Sequence, residues 1–318
     1  MEIKKNDKFT VTIEDMGEDG AGIGRVDGYI WFVKDALIGD TIEASAMKMK
    51  KNYGFARLVR VITPAKGRVE AKCPVARACG GCQLQELDYK EQLKFKEKKV
   101  YNHLKRIGGM ENLFLPEEAD QAAGVPDAVI MEPIIGMEDP WRYRNKAQYP
   151  IGRGKDGKPT AGFFAGRTHS LIPVPELDCL LGCAENKDYL AAVLKFMEDF
   201  GVEPYDEANH KGLVRHVLLR KGFASGEHMV CLVINGKKLP HEKEFTERMR
   251  EVGADSISLS FNMEKTNVIL GTEIKNLYGP GYITDKIGNI EYRISPLSFY
   301  QVNPVQTERL YGTALEFA

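Results

Sequence analysis

The alternation of apolar and polar positions divides the chain into regions of different character. Over residues 8–63, apolar residues alternate with polar ones in short runs separated by glycines, a period typical of half-buried strands. Strands are predicted at Phe9–Ile13, Tyr29–Val33, Asp40–Ala44 and Tyr53–Ile62, and a glycine-rich turn at Asp19–Gly24. Several short strands in about sixty residues predict a small closed barrel. No helix follows Gly20, Gly22 and Gly24, so a nucleotide-binding loop is the poorer interpretation of these glycines.

A helical period follows, and then a longer region of strands. Leu93, Val100, Leu104 and Ile107 share one face of a helix predicted over Leu87–Ile107, which Gly108 and Gly109 end. Further strands are predicted at Ala147–Gly152, Thr160–Phe164, His169–Val174, Val214–Arg220, Met229–Asn235, Ser256–Ser260 and Ile290–Ile294, with helices at Lys187–Phe200, His241–Glu251 and from Pro304 to Phe317. Strands with a few helices on one side predict an α+β domain on an antiparallel sheet.

The overall composition is ordinary for a globular protein, whereas the distribution of charge along the chain is more informative about binding. The chain has 318 residues, 43% of them hydrophobic and 28% charged, and a net charge of −1. No secretory signal or membrane span is visible, so we expect a cytoplasmic protein without a membrane partner, and a monomer. Residues 46–60 carry five basic residues and no acid, among aromatic side chains. Such a segment either binds an RNA strand through Lys48, Lys50 and Lys51 or is a solvated charged face.

The strongest chemical signal is a cluster of cysteines. Cys73, Cys79 and Cys82 lie within ten residues around Gly80-Gly81, and Cys179 or Cys183 could add a fourth thiolate. Four thiolates hold a cubane iron–sulfur cluster. Zinc sites usually pair two short-gap couples, and only one such couple is present. The pattern therefore favours a [4Fe–4S] cluster over zinc, and both over unligated cysteines. Cys231 lies in an apolar run and is interpreted as a core residue.

The order of these motifs resembles one family. The barrel region, residues 1–65, resembles the TRAM domain, an OB-like RNA-binding barrel. With the motif Cys-x5-Cys-Gly-Gly-Cys after it, the chain is similar to the S-adenosylmethionine-dependent RNA uracil methyltransferases, which make 5-methyluridine in 23S rRNA and tRNA. Three further segments carry the resemblance: Trp141–Gln148, His169–Cys179 and Ser295–Pro304. The pairing of a TRAM domain with a cluster is typical of the bacterial 23S rRNA type, which favours 23S rRNA as the partner.

The resemblance implies a multidomain α+β fold. Residues 1–65 would form the TRAM barrel, and residues 66–85 with 129–297 a central iron–sulfur domain. Residues 86–128 and 298–318 would belong to a Rossmann-like methyltransferase domain that is truncated here. Cys73, Cys79, Cys82 and Cys179 would hold the cluster in a structural role, and Gln301 would contact S-adenosylmethionine. Arg142, Arg144 and Lys146 would face RNA, with Phe299 and Asn303 near the target base; alternatively, Gln301 supports the last helix and the two arginines pair with acids of residues 132–139.

The sequence departs from the family at its end. Methylation at carbon 5 of uridine needs a thiolate that adds to carbon 6 and a base that removes the carbon-5 proton. In the family these groups and the cofactor loop follow Asn303, and no cysteine follows Cys231 here. We therefore expect an N-terminal portion without catalytic residues. The alternatives are a non-catalytic iron–sulfur RNA-binding module, a tRNA uridine methyltransferase, a zinc RNA-binding protein, and a radical enzyme, whose Cys-x3-Cys-x2-Cys spacing is absent.

Overall fold

A computed structural model describes residues 3–166 and 168–318. The chain forms two compact units. One comprises Met1–Lys72 with Cys82–Glu138, and the other comprises Cys73–Gly81 with Asp139–Ala318. Residues 86–128 lie in the first unit and residues 298–318 in the second, so their common assignment to a methyltransferase domain stays a prediction.

The first unit is built on a closed five-stranded barrel, as predicted. Its strands run in the order β1-β2-β3-β5-β4, and only β3 and β5 are parallel. Trp31, Val33 and Ile42 fill the interior and are almost fully buried. The strands are β1 (Lys8–Met16), β2 (Gly22–Val26), β3 (Tyr29–Lys34), β4 (Thr41–Met49) and β5 (Tyr53–Thr63).

Strand β2 corrects the predicted glycine-rich turn at Asp19–Gly24. Gly20 lies in the turn with a φ of +80°, whereas Gly22 and Gly24 lie inside the strand. A Cβ on Gly24 would lie 2.5 Å from the carbonyl oxygen of Thr12, and one on Gly22 would lie 2.7 Å from that of Ala36. These glycines therefore allow two backbones to approach closely, which is a packing role.

A buried ion pair fixes the segment that leaves the barrel. Asp40 is fully buried, and its carboxylate accepts hydrogen bonds from Arg68 at 2.7 Å and from the backbone N–H groups of Leu37 and Ala65. Burial alone would raise the pKa of Asp40, but the hydrogen bonds from Arg68 and the two N–H groups hold it below its usual value. Arg68 also pairs with Glu86.

The rest of the first unit is helical and irregular. Helix α1 (Tyr89–Arg106) is capped by Asp88, whose side chain accepts a hydrogen bond from the Lys90 N–H, and none of the helix residues is buried. The predicted face is therefore not buried, since Val100 and Ile107 are exposed, and Phe95 instead packs beside the cluster of Met16, Leu37 and Leu87. The remaining elements are β6 (Leu113–Phe114), α2 (Ala119–Ala122) and β7 (Val129–Ile130).

The second unit is built on a seven-stranded sheet of order β10-β9-β8-β11-β12-β13-β14. All its pairs are antiparallel except β12–β13, so the predicted antiparallel sheet is correct apart from this pair. The strands are β8 (Lys146–Arg153), β9 (Pro159–Phe164), β10 (Leu171–Pro173), β11 (Val214–Lys221), β12 (His228–Ile234), β13 (Ser256–Phe261) and β14 (Glu273–Tyr278).

Helices cover one face of this sheet. Helices α3 (Asn186–Phe200) and α4 (Glu242–Glu251) pack Leu190, Phe196 and Phe245 onto it. The hairpin of β15 (Ile283–Ile287) and β16 (Ile290–Ile294) packs beside Met229 and Tyr300. Helix α5 (Pro304–Glu316) ends the unit. Cys231 is fully buried as predicted, and no helix in the described residues is long and apolar enough to cross a membrane.

Candidate nucleic-acid interface

Three aromatic side chains form a cluster on the outer face of the barrel. Phe32 on β3 lies opposite Phe55 on β5, and their ring centroids are 5.7 Å apart. Tyr53 packs edge-on against both rings, at 5.7 Å from Phe32 and 5.6 Å from Phe55. Alternation along β5 buries Gly54 and Ala56, and Tyr53 and Phe55 therefore point outwards, 38% and 37% exposed. An exposed aromatic cluster of this kind can stack unpaired bases.

Basic side chains border this cluster. Lys48 on β4 lies opposite Phe55, and Lys34 on β3 lies opposite Arg57 on β5. Lys50 and Lys51 lie in the exposed β4–β5 turn. The structure thus places the predicted Lys48 directly beside the aromatic cluster, with Lys50 and Lys51 at the end of the same strands. Arg60 differs, because Glu43 pairs with it at 3.2 Å.

Arg142 in the second unit forms hydrogen bonds with the loop that contains Cys179. Its side chain donates to the Asp178 carboxylate at 2.7 Å and to the Cys179 carbonyl oxygen at 3.2 Å. Its backbone has a φ of +55°, and its N–H donates to the Leu180 carbonyl oxygen. The hydrogen bond from Arg142 lowers the pKa of Asp178. The acid that pairs with Arg142 is therefore Asp178 and lies outside residues 132–139, and the predicted RNA contact of Arg142 stays a prediction.

Lys146 belongs to a cluster of cations. Its neighbour Arg220 is part of the same cluster and could not be identified from the sequence alone. Lys146 on β8 lies opposite Arg220 on β11. Burial, and then the charges of Arg220 and Arg144, lower the pKa of Lys146. Among the described residues no carboxylate forms an ion pair with Arg144, Lys146 or Arg220. We call these three residues the cation cluster; Arg220 is only 4% exposed, so Arg144 and Lys146 would contact a phosphate group and Arg220 would add its charge from beneath.

The segment 295–303 is held against the same strands. Arg220 donates to the carbonyl oxygens of Pro296 and Ser298. The Asn145 side chain donates to the Gln301 carbonyl oxygen at 2.9 Å. Phe299 is 87% exposed. Gln301 is therefore positioned beside the cation cluster through its backbone, and its predicted contact with S-adenosylmethionine stays a prediction.

Asn303, which was predicted to lie near the target base, caps helix α5. Its side-chain oxygen accepts a hydrogen bond from the Gln306 N–H at 3.1 Å, which makes it the N-cap of α5. The helix support that we considered for Gln301 thus comes from Asn303. Contact of Phe299 or Asn303 with a target base stays a prediction.

The cysteines are not gathered into a metal site among the residues that the structure describes. All six are thiols outside disulfide bonds. Cys73, Cys79 and Cys179 lie in the second unit and Cys82 in the first, and the described residues contain no group of three or more potential ligands that could hold a metal ion. The [4Fe–4S] cluster on these cysteines therefore stays a prediction. Burial raises the pKa of Cys183, the alternative ligand, to about 11.

Comparison with known proteins identifies relatives over almost the whole chain. Residues 4–59 match the TRAM domain. An uncharacterized RNA methyltransferase of Halalkalibacterium halodurans is 44% identical over 99% of this chain, and one of Clostridium tetani is 43% identical over 99%. The chain spans about 65% of the length of each.

Comparison with solved structures also finds a similar fold. The crystal structure of Pyrococcus abyssi tRNA (uracil-54, C5)-methyltransferase in complex with S-adenosyl-L-homocysteine superimposes with a TM-score of 0.71 at 23% identity. The match covers 96% of this chain and 64% of that one. At this identity the match shows the fold alone. The chain thus carries a TRAM domain and is a relative, along 99% of its length, of proteins named RNA methyltransferases.

Proposed function

We propose that this chain binds single-stranded RNA as part of an S-adenosylmethionine-dependent methyltransferase that modifies carbon 5 of a uridine in 23S rRNA. The observation that carries the proposal is the exposed cluster of Phe32, Tyr53 and Phe55 beside Lys48. Aromatic faces stack bases and lysines neutralise phosphates, and the combination is suited to unpaired RNA. The cation cluster of the second unit would add a further phosphate contact.

Titration of a fluorescent single-stranded RNA oligonucleotide tests the barrel face. Phe55→Ala should weaken binding by about 1–3 kcal/mol, the range of one lost base stack. Ile62→Ala is the matched control, because Ile62 is a 42% exposed apolar residue on the same strand, outside the aromatic cluster. Equal affinity of the Phe55→Ala variant and the unchanged protein would refute the proposed RNA-binding face.

The choice of RNA needs a separate comparison. Relatives named RNA methyltransferases leave the RNA open, and the protein of similar fold acts, by its name, on tRNA. We favour 23S rRNA because of the TRAM domain together with the cysteine motif. Competition of the labelled oligonucleotide with a 23S rRNA fragment and with tRNA decides between them. Displacement by tRNA at the lower concentration would favour a tRNA uridine methyltransferase.

We expect this chain alone to transfer no methyl group. A nucleophilic cysteine must be accessible and readily deprotonated. Burial raises the pKa of both Cys183 and Cys231 to about 11. The other four cysteines are the predicted cluster ligands. Incubation with labelled S-adenosylmethionine and either 23S rRNA fragments or tRNA measures this directly. Methyl incorporation would contradict the expectation, and binding without incorporation agrees with the alternative of a non-catalytic RNA-binding module.

The [4Fe–4S] cluster on Cys73, Cys79, Cys82 and Cys179 is proposed on the sequence motif alone. When bound, such a cluster would tie the cysteine stretch to the strand near Ile172. Anaerobic purification, an absorbance spectrum and iron and zinc analysis distinguish a brown cluster from colourless zinc. Cys82→Ser should lose solubility and RNA affinity together. A well-folded variant that binds RNA normally would count against a structural cluster.

A further inference from the structure

A cleft of about 440 Å³ opens in the second unit beside β8, β9 and β11. Gln148 and His216 line it from the strands, and Phe164 and His169 form an aromatic wall with their ring centroids 5.5 Å apart. Its volume is in the range of sites that bind small molecules. This cleft lies outside the aromatic cluster of the barrel and outside the cation cluster.

The positive charge of Arg215 at the cleft is compensated by neighbouring groups. Arg215 lines the cleft, but its guanidinium donates to the carbonyl oxygens of Asn262 at 3.1 Å and Glu264 at 2.8 Å. It lies over the Tyr205 ring at 4.6 Å, and the Glu207 carboxylate is 3.6 Å away. Since its charge is compensated, the guanidinium holds the wall of the cleft and is not available to an anion.

His216 supplies a buried polar group that lacks a partner. The residue is 4% exposed, and its Nδ1 has no hydrogen-bond partner among the residues that the structure describes. Burial lowers the pKa of His216 to about 4, so the imidazole is neutral at pH 7. A neutral imidazole has one donor and one acceptor, and the Gln148 amide has both as well. Since His216 Nδ1 is itself buried, the Gln148 amide supplies the hydrogen-bonding groups that a ligand in the cleft would meet.

We propose that this cleft takes an unpaired nucleobase of the bound RNA strand, an inference that rests on the proposed function. The ligand must be flat to lie against the wall of Phe164 and His169, uncharged, and able to donate and accept hydrogen bonds. A nucleobase meets all three conditions. A phosphate group is neither flat nor uncharged. It would also lack a counter-charge, because Arg215, the only cation that lines the cleft among the described residues, is already compensated.

The sheet connects this cleft to the cation cluster. Gln148 lies two residues after Lys146 on β8, and His216 lies four residues before Arg220 on β11. Side chains at even spacing point to the same face of a strand, and four residues span about 13 Å. One RNA strand can therefore place a phosphate at the cation cluster and a base in the cleft. The cleft would then select RNA with an unpaired base at one position.

An abasic scan tests the cleft. Twelve-nucleotide single-stranded RNAs, each with one abasic site at a different position, are titrated against the unchanged protein and against variants. At the position whose base occupies the cleft, we expect base removal to weaken binding roughly 10-fold, within the range of one lost base stack. In Phe164→Ala and Gln148→Ala that penalty should disappear, because the base no longer has its site.

Two controls separate the cleft from the barrel face. The penalty at this position should persist in Phe55→Ala, and also in Tyr278→Ala, which removes an exposed aromatic side chain away from the cleft. If no RNA binds the unchanged protein, both proposals fail. If RNA binds but no abasic penalty depends on Gln148 or Phe164, the cleft inference alone is overturned.

Discussion

At the scale of single residues, the buried ion pair of Arg68 and Asp40 is expected to stabilise the first unit. The Asp40 carboxylate is fully buried, and its charge is compensated chiefly by this guanidinium. Removing one partner of a buried ion pair leaves the other charge uncompensated in a medium that solvates it poorly. The sequence gives no sign of the pair, because its members are separated by twenty-eight positions.

Arg68→Ala should therefore lower the free energy of unfolding of the barrel by about 3–5 kcal/mol. Urea unfolding followed by Trp31 fluorescence measures this, in a Trp141→Phe background that leaves one indole in the chain. Arg25→Ala is the control, since the exposed Arg25 lies 3.8 Å from Glu14. It should cost less than about 1 kcal/mol. If both variants lost a similar free energy of unfolding, burial would not explain the effect of Arg68→Ala.

The same ion pair predicts a dependence on pH. The pKa of Asp40 is lowered in the folded state from its usual 3.8, so folding favours the ionised carboxylate. The contribution is complete above the unfolded pKa and is lost as the pH falls through the folded one. The unchanged protein should lose this contribution only below about pH 4. In Arg68→Ala burial raises the pKa of Asp40 instead, so protonation relieves the uncompensated charge and the stability difference between the two proteins should shrink as the pH falls from 7. A difference that stays constant from pH 7 to pH 3 would contradict this assignment.

At the scale of elements, β2 shows how packing can override local propensity. Gly22 and Gly24 disfavour a strand in isolation, but the barrel closes only where a backbone can pass without a side chain. Gly24→Ala should therefore lower the free energy of unfolding by about 3 kcal/mol, because the Thr12 carbonyl cannot move aside easily. Urea unfolding of the barrel measures it.

Gly28→Asn is the matched control in the next turn. Gly28 has a φ of +79° and no atom within 4 Å of a Cβ, and asparagine tolerates this backbone conformation. We expect a cost below about 1 kcal/mol. If Gly24→Ala were as stable as Gly28→Asn, close backbone approach would not explain the glycine.

The elements also show how far the sequence alone could predict this molecule. Alternation predicted the barrel strands other than β2, and the sheet strands were also predicted from the sequence, other than β14, a polar edge strand. It could not predict that β3 and β5 are parallel neighbours, and the aromatic cluster depends on that pairing. It likewise identified Lys146 but missed Arg220, because only the β8–β11 register brings them together.

At the scale of the whole molecule, a net charge of −1 conceals two positive surfaces, one on each unit. If both bind phosphates, affinity for single-stranded RNA should fall steeply with salt. Lys48→Ala and Lys146→Gln should each reduce the slope of log affinity against log salt by about 0.7, and the double variant by their sum. Lys195→Ala should leave the slope unchanged, because Asp199 already pairs with that lysine. An unaltered slope in either surface variant would remove that surface from the interface.

The strand order of the second unit also means that β8 is synthesised several seconds before β11, its partner in the sheet. Strand β8 pairs with β11, and about sixty residues, including α3, are made between the end of one and the start of the other. At a ribosomal rate of about 5–20 residues per second, β8 has only β9 as a partner for about 3–12 s. During that time the edge of β8 that later pairs with β11, with the apolar Ala147 and Tyr149, has no strand to pair with. The newly made chain is thus open to mispairing until β11 arrives.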